Sequence, residues 1–142
     1  MIDIPVSNVM ARGVETITGE VTAARVARQF AEKRLGSLVV VEPDTGRLIG
    51  IVTESDVIRQ VATNGDLDTV AVSTFMSAPV VTIAGSEPIH VAADRMKQHS
   101  IRRLPVVDDG QLVGIVTTTN LTHYLPKLRN TILRQRGSNQ AL

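Results

Sequence analysis

Two stretches of the chain place apolar residues at positions i, i+3, i+4 and i+7, which brings them to one face of an α-helix. These residues are Ala23, Val26, Ala27 and Phe30 in the first stretch, and Ile89, Ala92, Ala93 and Met96 in the second. The phase is the same in both. Thr22 is the candidate N-cap of the first helix. Ser86 is the candidate cap of the second, where Pro88 follows at an early helical position.

Short runs of β-branched and apolar residues predict strands around each helix. Before the helices, the candidates are residues 16–17 and 81–83. After the helices, each half has two longer runs joined by a turn, which predicts a hairpin. These runs are residues 38–41 and 47–52 in the first half, and 104–107 and 111–116 in the second. A further helix follows each hairpin, carrying Val57, Ile58 and Val61 in the first half and Leu121 and Leu125 in the second.

The two halves are therefore one unit used twice, with the order β-α-β-β-α. Val6-Ser7 recurs as Val72-Ser73, and residues 50–56 recur as residues 114–120. A repeat of this kind predicts a mixed α/β fold of two similar parts. We expect the parts to pack sheet to sheet with pseudo-twofold symmetry, because neither is long enough to bury a secure core alone. The predicted organisation is repeat 1 at residues 1–62, a linker at 63–71, repeat 2 at 72–126 and a basic tail at 127–142.

Composition excludes several classes of function. The chain has no cysteine, which rules out disulfides, thiolate metal sites and thiol catalysis. The net charge of +1 gives no global attraction to nucleic acid or to a membrane surface. No apolar run reaches the length of about 18 residues needed to cross a bilayer, and the N-terminus lacks the pattern of a secretion signal. We therefore expect a cytoplasmic protein.

The repeated seven-residue stretch carries the candidate chemistry. Thr53 is followed three residues later by Asp56, and Thr117 is followed three residues later by Asn120. A carboxylate can accept hydrogen bonds from both hydroxyls of a ribose, and a nearby threonine can complete the set. The same spacing also fits a capping box, in which Thr53 caps a helix and Asp56 binds back to the cap. An amide at Asn120 lacks the charge, so a second site would be weaker, altered or empty.

Several motifs together resemble one family. They are Val9-Met10 before residues 14–17, the run 38–41, residues 50–56, Phe75-Met76 before residues 80–83, residues 102–108, and residues 114–120. In this combination the chain resembles a standalone tandem pair of cystathionine-β-synthase (CBS) domains, often called a Bateman module. The resemblance covers about residues 5 to 125.

The resemblance implies a regulatory module that binds an adenosine-containing ligand between its two repeats. AMP, ADP and ATP are the favoured ligands, with NAD and S-adenosylmethionine as others. The implied main pocket contains Thr53, Asp56, Val80, Val81, Thr82, Arg102, Arg103 and Pro105. The implied second, weaker pocket contains Val14, Glu15, Thr16, Ser37, Thr117 and Asn120.

In this interpretation Asp56 binds the ribose, and at least one of Arg102 and Arg103 contacts the phosphates, for which the arginine fork is well suited. The residues that open each repeat would hold adenine. We expect no enzymatic activity, because no nucleophile or base is organised, and no metal site among His90, His99 and His123.

The partners implied are a second copy of the chain and a regulated protein that the sequence does not identify. Ligand binding would shift the population between two arrangements, and the partner would respond to the change. One alternative is an interaction module that dimerises without a ligand. A less favoured alternative is a nucleic-acid regulator acting through the basic tail, although such binding usually needs a broader basic surface.

Overall fold

The computed structural model of the chain describes residues 4–63 and 65–124. The predicted basic tail and Leu125 lie outside the described residues. The chain forms two compact units, one made of Val14–Val81 and the other of the residues before Val14 together with those after Val81. No helix in the described part is both long enough and apolar enough to cross a membrane.

The unit Val14–Val81 has the predicted element order. Its elements are β1 (Thr16–Ile17), α1 (Ala23–Lys33), β2 (Ser37–Val41), β3 (Leu48–Thr53) and α2 (Glu54–Ala62), followed by a 3-10 helix (Val72–Thr74). The sheet has the order β1-β2-β3, with β1 parallel to β2 and β2 antiparallel to β3. The predicted hairpin and both predicted helices of this half are therefore confirmed.

The core of this unit lies between α1 and the sheet. α1 contributes Val26 and Phe30, and the strands contribute Leu38, Val40 and Val52. Val26 and Phe30 lie on the face of α1 that the apolar spacing predicted, because a helix has a period of 3.6 residues. The 3-10 helix adds Val72, which is fully buried.

The other unit repeats the helix and the hairpin. Its elements are a 3-10 helix (Val6–Asn8), α3 (Ile89–His99), β4 (Arg103–Asp108), β5 (Gln111–Thr117) and a helix at residues 118–124, α4. β4 and β5 are antiparallel. The strand predicted at residues 81–83 is reduced to a single parallel bridge between Ile83 and Val106. That prediction was too long, and only Ile83 of the three residues is buried.

The ends of the helices match the predicted caps in one repeat only. The Thr22 hydroxyl accepts a hydrogen bond from the Arg25 N–H, at 3.3 Å, which confirms this cap. The predicted cap at Ser86 is wrong, because α3 begins after Pro88 and no side chain caps it. Its first N–H instead donates to the Ile4 carbonyl, at 2.8 Å.

Each unit is completed by a segment that belongs, by sequence, to the other repeat. In the unit Val14–Val81, the backbone groups of Ser77 and Ile51 exchange two hydrogen bonds, of 2.9 and 3.1 Å. In the other unit, Ala11 and Ile115 exchange bonds of 2.8 and 3.0 Å. The compact units thus do not coincide with the sequence repeats. The predicted boundaries follow the repeats and stay a prediction.

A methionine from each exchanged segment lies against a glycine of the hairpin. A Cβ added to Gly50 would stand 2.2 Å from the sulfur of Met76, and one added to Gly114 would stand 2.6 Å from the sulfur of Met10. Such distances are far below van der Waals contact, so the repeated glycine leaves room for the methionine. The two sites differ in one respect. At Gly114 the backbone carbonyl of Ala11 would also be 2.8 Å away, whereas at Gly50 the three nearest atoms all belong to the Met76 side chain.

This difference predicts unequal effects of Gly50→Ala and Gly114→Ala. Each change should lower the free energy of unfolding by about 1–3 kcal/mol, the usual cost of overpacking. Gly114→Ala should cost more, because a backbone carbonyl cannot move aside as a flexible thioether can. Urea unfolding of the single and double variants measures both effects.

Double variants separate the two causes. Met76→Ala should relieve much of the cost of Gly50→Ala, so that the double variant is more stable than the sum of the single effects predicts. Met10→Ala should relieve little of the cost of Gly114→Ala. Equal relief at the two sites would contradict this account.

Candidate functional site

The candidate site begins where β3 ends and α2 starts. Thr53 is the last residue of β3 and the N-cap of α2, which begins at Glu54. Thr53 and Asp56 form a capping box, as the spacing predicted. Asp56 is therefore held in the first turn of α2, and its acidic side chain is favoured there by the helix dipole.

Among the residues that the structure describes, Asp56 is the charged residue that is buried, and 7% of its side chain is exposed. Its Oδ2 accepts two hydrogen bonds from Thr53, from the backbone N–H at 2.8 Å and from the hydroxyl at 3.1 Å. A buried carboxylate is costly unless it is satisfied in this way. Thr53 thus fixes one oxygen of the carboxylate and leaves the other, Oδ1, for a different partner.

That partner is Arg59, one turn further along α2. Its Nη2 donates to Oδ1 of Asp56 and forms an ion pair with it. The Arg59 side chain is 70% exposed, so the guanidinium covers Oδ1 from the solvent side. Sequence reasoning did not single out Arg59, although the spacing of three on a helix is the signal that finds such pairs.

The second repeat reproduces the cap with an amide. Oδ1 of Asn120 accepts hydrogen bonds from the Thr117 backbone N–H at 2.9 Å and from the Thr117 hydroxyl at 3.0 Å. The Asn120 N–H donates to the same hydroxyl at 3.1 Å. The amide oxygen therefore takes the position of Oδ2 of Asp56. The residue that corresponds to Arg59 is His123, whose side chain is exposed.

The unit Val14–Val81 brings several predicted residues to the same end of its sheet. Ser37 stands opposite Thr53 in the register of β2 and β3. Glu15, just before β1, accepts the Val39 N–H through its carbonyl and forms an ion pair with Lys33 at 3.2 Å.

The predicted residues of this unit differ in exposure. Glu15 and Thr16 are exposed, and Val14, Val80 and Val81 are half-buried. The main set predicted from the sequence is divided between the units. Thr53, Asp56, Val80 and Val81 belong to this unit. Thr82, Arg102, Arg103 and Pro105 belong to the other.

The other unit gathers its predicted residues at the matching end of its own sheet. Arg103 stands opposite Thr117 in the register of β4 and β5, and the Arg102 carbonyl accepts the Thr118 N–H at 3.0 Å. Arg102 is exposed and Arg103 is half-buried, so both guanidinium groups have access to solvent. Pro105 is fully buried in β4.

Thr82 has a partner that the sequence did not predict. Its carbonyl accepts a hydrogen bond from Nη1 of Arg95, at 2.9 Å. Gln29 is the matching residue of the first repeat, and its buried Oε1 has no hydrogen-bond partner within the structure. The bond from Arg95 to the Thr82 carbonyl thus has no counterpart at Gln29 in the part of the chain that the structure describes.

The cap geometry predicts that Thr53→Val and Thr117→Val each lower the free energy of unfolding by about 1 kcal/mol. Valine keeps the shape of threonine and removes the hydroxyl, so the loss should be largely that of the hydroxyl bonds. Thermal or urea unfolding measures the change. Thr118→Val, at an exposed neighbouring position, is the control and should have little effect. A cost at Thr118 as large as that at Thr117 would contradict the assignment of the cap.

No group of His, Asp or Glu side chains within residues 4–63 and 65–124 is arranged to hold a metal ion. His90, His99 and His123 are all exposed. The hydrogen-bonding and charged groups of the candidate site lie at the two Thr-x-x-Asp/Asn sites and at Arg102 and Arg103.

Comparison with known proteins identifies the family to which the chain is similar. The sequence model of the CBS domain matches residues 6–63 and 72–127. An uncharacterised protein of Methanopyrus kandleri is 37% identical over 134 residues, which are 93% of this chain and 68% of that protein. Other relatives are much longer. A homoserine O-acetyltransferase of Methanosphaerula palustris is 36% identical over 82% of this chain, and the match spans only 23% of the enzyme.

Two solved structures are similar to the chain as a whole. A CBS domain protein from Pyrobaculum aerophilum, solved with AMP, is 32% identical with a TM-score of 0.78, covering 83% of this chain and 90% of that one. A CBS domain pair solved with 5′-methylthioadenosine and S-adenosyl-L-methionine has a TM-score of 0.80 at 24% identity, covering 89% and 98%. The latter likeness concerns the fold alone.

Proposed function

The chain belongs to the CBS domain family, and on that premise we propose that it is a regulatory module that binds an adenine nucleotide, AMP, ADP or ATP. The observation that carries the proposal is the buried carboxylate of Asp56, whose Oδ2 is fixed by Thr53 while Oδ1 faces an exposed side chain. The AMP complex of the Pyrobaculum aerophilum protein supports the choice of ligand.

Asp56 has the chemistry that a ribose needs. A carboxylate accepts from two neighbouring hydroxyls, and charge-assisted hydrogen bonds are about twice as strong as neutral ones. Because Thr53 holds the carboxylate in place, little side-chain entropy is lost when a ligand binds. The cap and the ribose interpretations are therefore compatible. Oδ2 serves the helix, and Oδ1 is the oxygen offered to the ligand.

Arg102 and Arg103 are proposed to bind the phosphates. Arginine is always charged and presents a planar fork of donors that fits phosphate oxygens. Arg102 is exposed, and both residues lie at the entrance of β4, beside Thr117. Val80, Val81 and Thr82 stay our candidates for adenine, and Pro105 contributes through the shape of β4.

The site around Asn120 is proposed to be the weaker one. Its members are Val14, Glu15, Thr16, Ser37, Thr117 and Asn120. Asn120 already uses its oxygen on Thr117, so it offers a ligand an amide donor and no charge. Glu15 adds a negative charge, which disfavours a phosphate nearby.

Regulation would follow from differential affinity. A ligand shifts an equilibrium between two conformations only by the difference of its affinities for them. We propose that nucleotide binding favours one conformation of the chain, which a partner protein recognises. The long relatives, such as the homoserine O-acetyltransferase, indicate that a partner can also be a domain of the same polypeptide. We assign no catalytic step to the described residues.

Asp56→Asn provides the sharpest test of the site. Asn120 makes the same cap with an amide, so the variant should keep its stability to within about 1 kcal/mol while losing the charge. Its affinity for AMP should fall about ten- to a hundredfold, which corresponds to about 1.5–3 kcal/mol for a charged hydrogen bond. Isothermal titration calorimetry measures the affinity, and urea unfolding measures the stability.

The wild-type protein and Asn120→Asp complete this experiment. Asn120→Asp should strengthen binding at the weaker site. No heat and no thermal shift of the wild-type protein with AMP, ADP, ATP, NAD or S-adenosylmethionine would reject the proposed function. Mass spectrometry of any nucleotide that co-purifies with the protein would identify the ligand directly.

A second proposal, compatible with the first, is that the chain forms a homodimer through α2. Ile58 and Val61 lie one turn apart on α2 and are 65% and 55% exposed. Exposed apolar side chains at this spacing form a stripe along one face of the helix. A second copy of the chain would cover this stripe. An interaction module without a ligand would need the same surface, so the two readings differ only in nucleotide binding.

Ile58→Lys tests the dimer. A charge in the middle of the stripe should raise the dissociation constant at least about tenfold, the effect of a central interface residue. Sedimentation velocity over a range of concentrations measures it. Ala31→Lys, at an exposed position of α1 away from the stripe, is the control and should leave the dimer unchanged. A wild-type protein that stays monomeric at high concentration would contradict the proposal.

A further inference from the structure

Arg59 determines how readily Oδ1 of Asp56 can accept a ligand. The two oxygens of this carboxylate have separate duties. Oδ2 is bonded twice by Thr53, and Oδ1 is bonded by the guanidinium of Arg59. Any hydroxyl that approaches the carboxylate from solvent therefore meets the oxygen that Arg59 already occupies.

We propose that Arg59 is a displaceable competitor for this subsite, an inference that rests on the proposed function. A ribose can bind Oδ1 fully only when the guanidinium moves away. The move is possible because the Arg59 side chain is 70% exposed and its charge can be solvated after release. The carboxylate of this pair is buried but the guanidinium is exposed, so solvent screens the pair in part, and the competition is modest and reversible.

The second repeat supports this assignment, because it lacks both the carboxylate and the arginine. Where the carboxylate is replaced by the amide of Asn120, the position of Arg59 is taken by His123. The fixed cation thus accompanies the carboxylate and is missing where the oxygen it would hold is missing. A purely surface role for Arg59, unrelated to Oδ1, gives no reason for this correspondence.

The competition has a consequence for the concentration at which a ligand occupies the site. Breaking the ion pair lowers the affinity for every ligand that uses Oδ1 by the same factor. A neutral nucleoside has no phosphate contacts to offset that loss, whereas a nucleotide has them. Arg59 would thus raise the nucleoside concentration that is needed to occupy the site.

Arg59→Met is the variant that tests the inference. Methionine keeps an unbranched apolar stem on the helix and removes the charge. The affinity for adenosine, used as the probe because it is uncharged, should rise about two- to fivefold, as expected for a weak ion pair whose cation is exposed to solvent. AMP should bind more tightly by a similar factor. Arg28→Met, an exposed arginine on α1, is the matched control and should change neither affinity.

Salt dependence gives a second measurement that a structural role would not affect. Between about 0.05 M and about 0.5 M NaCl, screening should weaken the ion pair and raise the affinity of the wild-type protein for adenosine. Arg59→Met should lack this rise. Calorimetric titrations at both salt concentrations measure it, and thermal unfolding of each variant verifies that it is folded.

The outcomes separate the inference from the proposed function. If the wild-type protein binds AMP and Arg59→Met binds adenosine no more tightly, Arg59 does not compete and the inference is overturned. If Arg59→Met binds more weakly, Arg59 is a ligand contact, which also overturns it. If neither the wild-type protein nor the variant binds any adenine ligand, the proposed function itself fails.

Discussion

The bonds between Thr53 and Asp56 are the constraint on which the candidate site depends. A carboxylate can be buried at the start of α2 only if donors are at hand, and Thr53 supplies two of them from the end of β3. The same bonds begin the helix and set the direction of the side chain. Structural and functional interpretations of this motif were alternatives in the sequence. In the structure Oδ2 makes the cap, and Oδ1 is the oxygen that we propose for the ligand.

Local patterns in the sequence were sufficient to predict most of the helices and strands. The apolar spacing of α1 and α3 and the β-branched runs of β2 to β5 identified their elements, because burial on one face is a local property. The strand predicted at residues 81–83 is absent apart from one bridge, because pairing between strands is not a local property. A short apolar run favours a strand but does not supply the partner strand, and only Ile83 found one. Ser86 failed as a cap because a distant carbonyl, that of Ile4, reaches the first N–H of α3.

Long-range pairing was the part that the sequence could not provide. Met10 and Met76 occupy matching positions of the two repeats, which indicates that their segments have the same structural role. The sequence does not show that each methionine packs against the hairpin of the other repeat. Arg59 was missed for a different reason. The sequence predicts Asp56 as an acceptor for Thr53 or for a ribose, and Arg59 on the same helix is a third partner. The spacing of three residues between Asp56 and Arg59 on α2 is the sequence signal that indicates this ion pair.

The exchange of the opening segments makes the two units unequal in the order of their synthesis. The unit Val14–Val81 is one continuous stretch, so it can form as soon as its last residues leave the ribosome. The other unit joins residues before Val14 to residues after Val81, which are made only after the unit Val14–Val81. Until Glu87 and β5 emerge, the backbone N–H of Val6 and the side chain of Met10 lack the partners that they have in the folded unit. A chain that emerges at about 5–20 residues per second spends several seconds in this state. The segment around Val6 and Met10 can therefore take its final place only after residues far along the chain have been made.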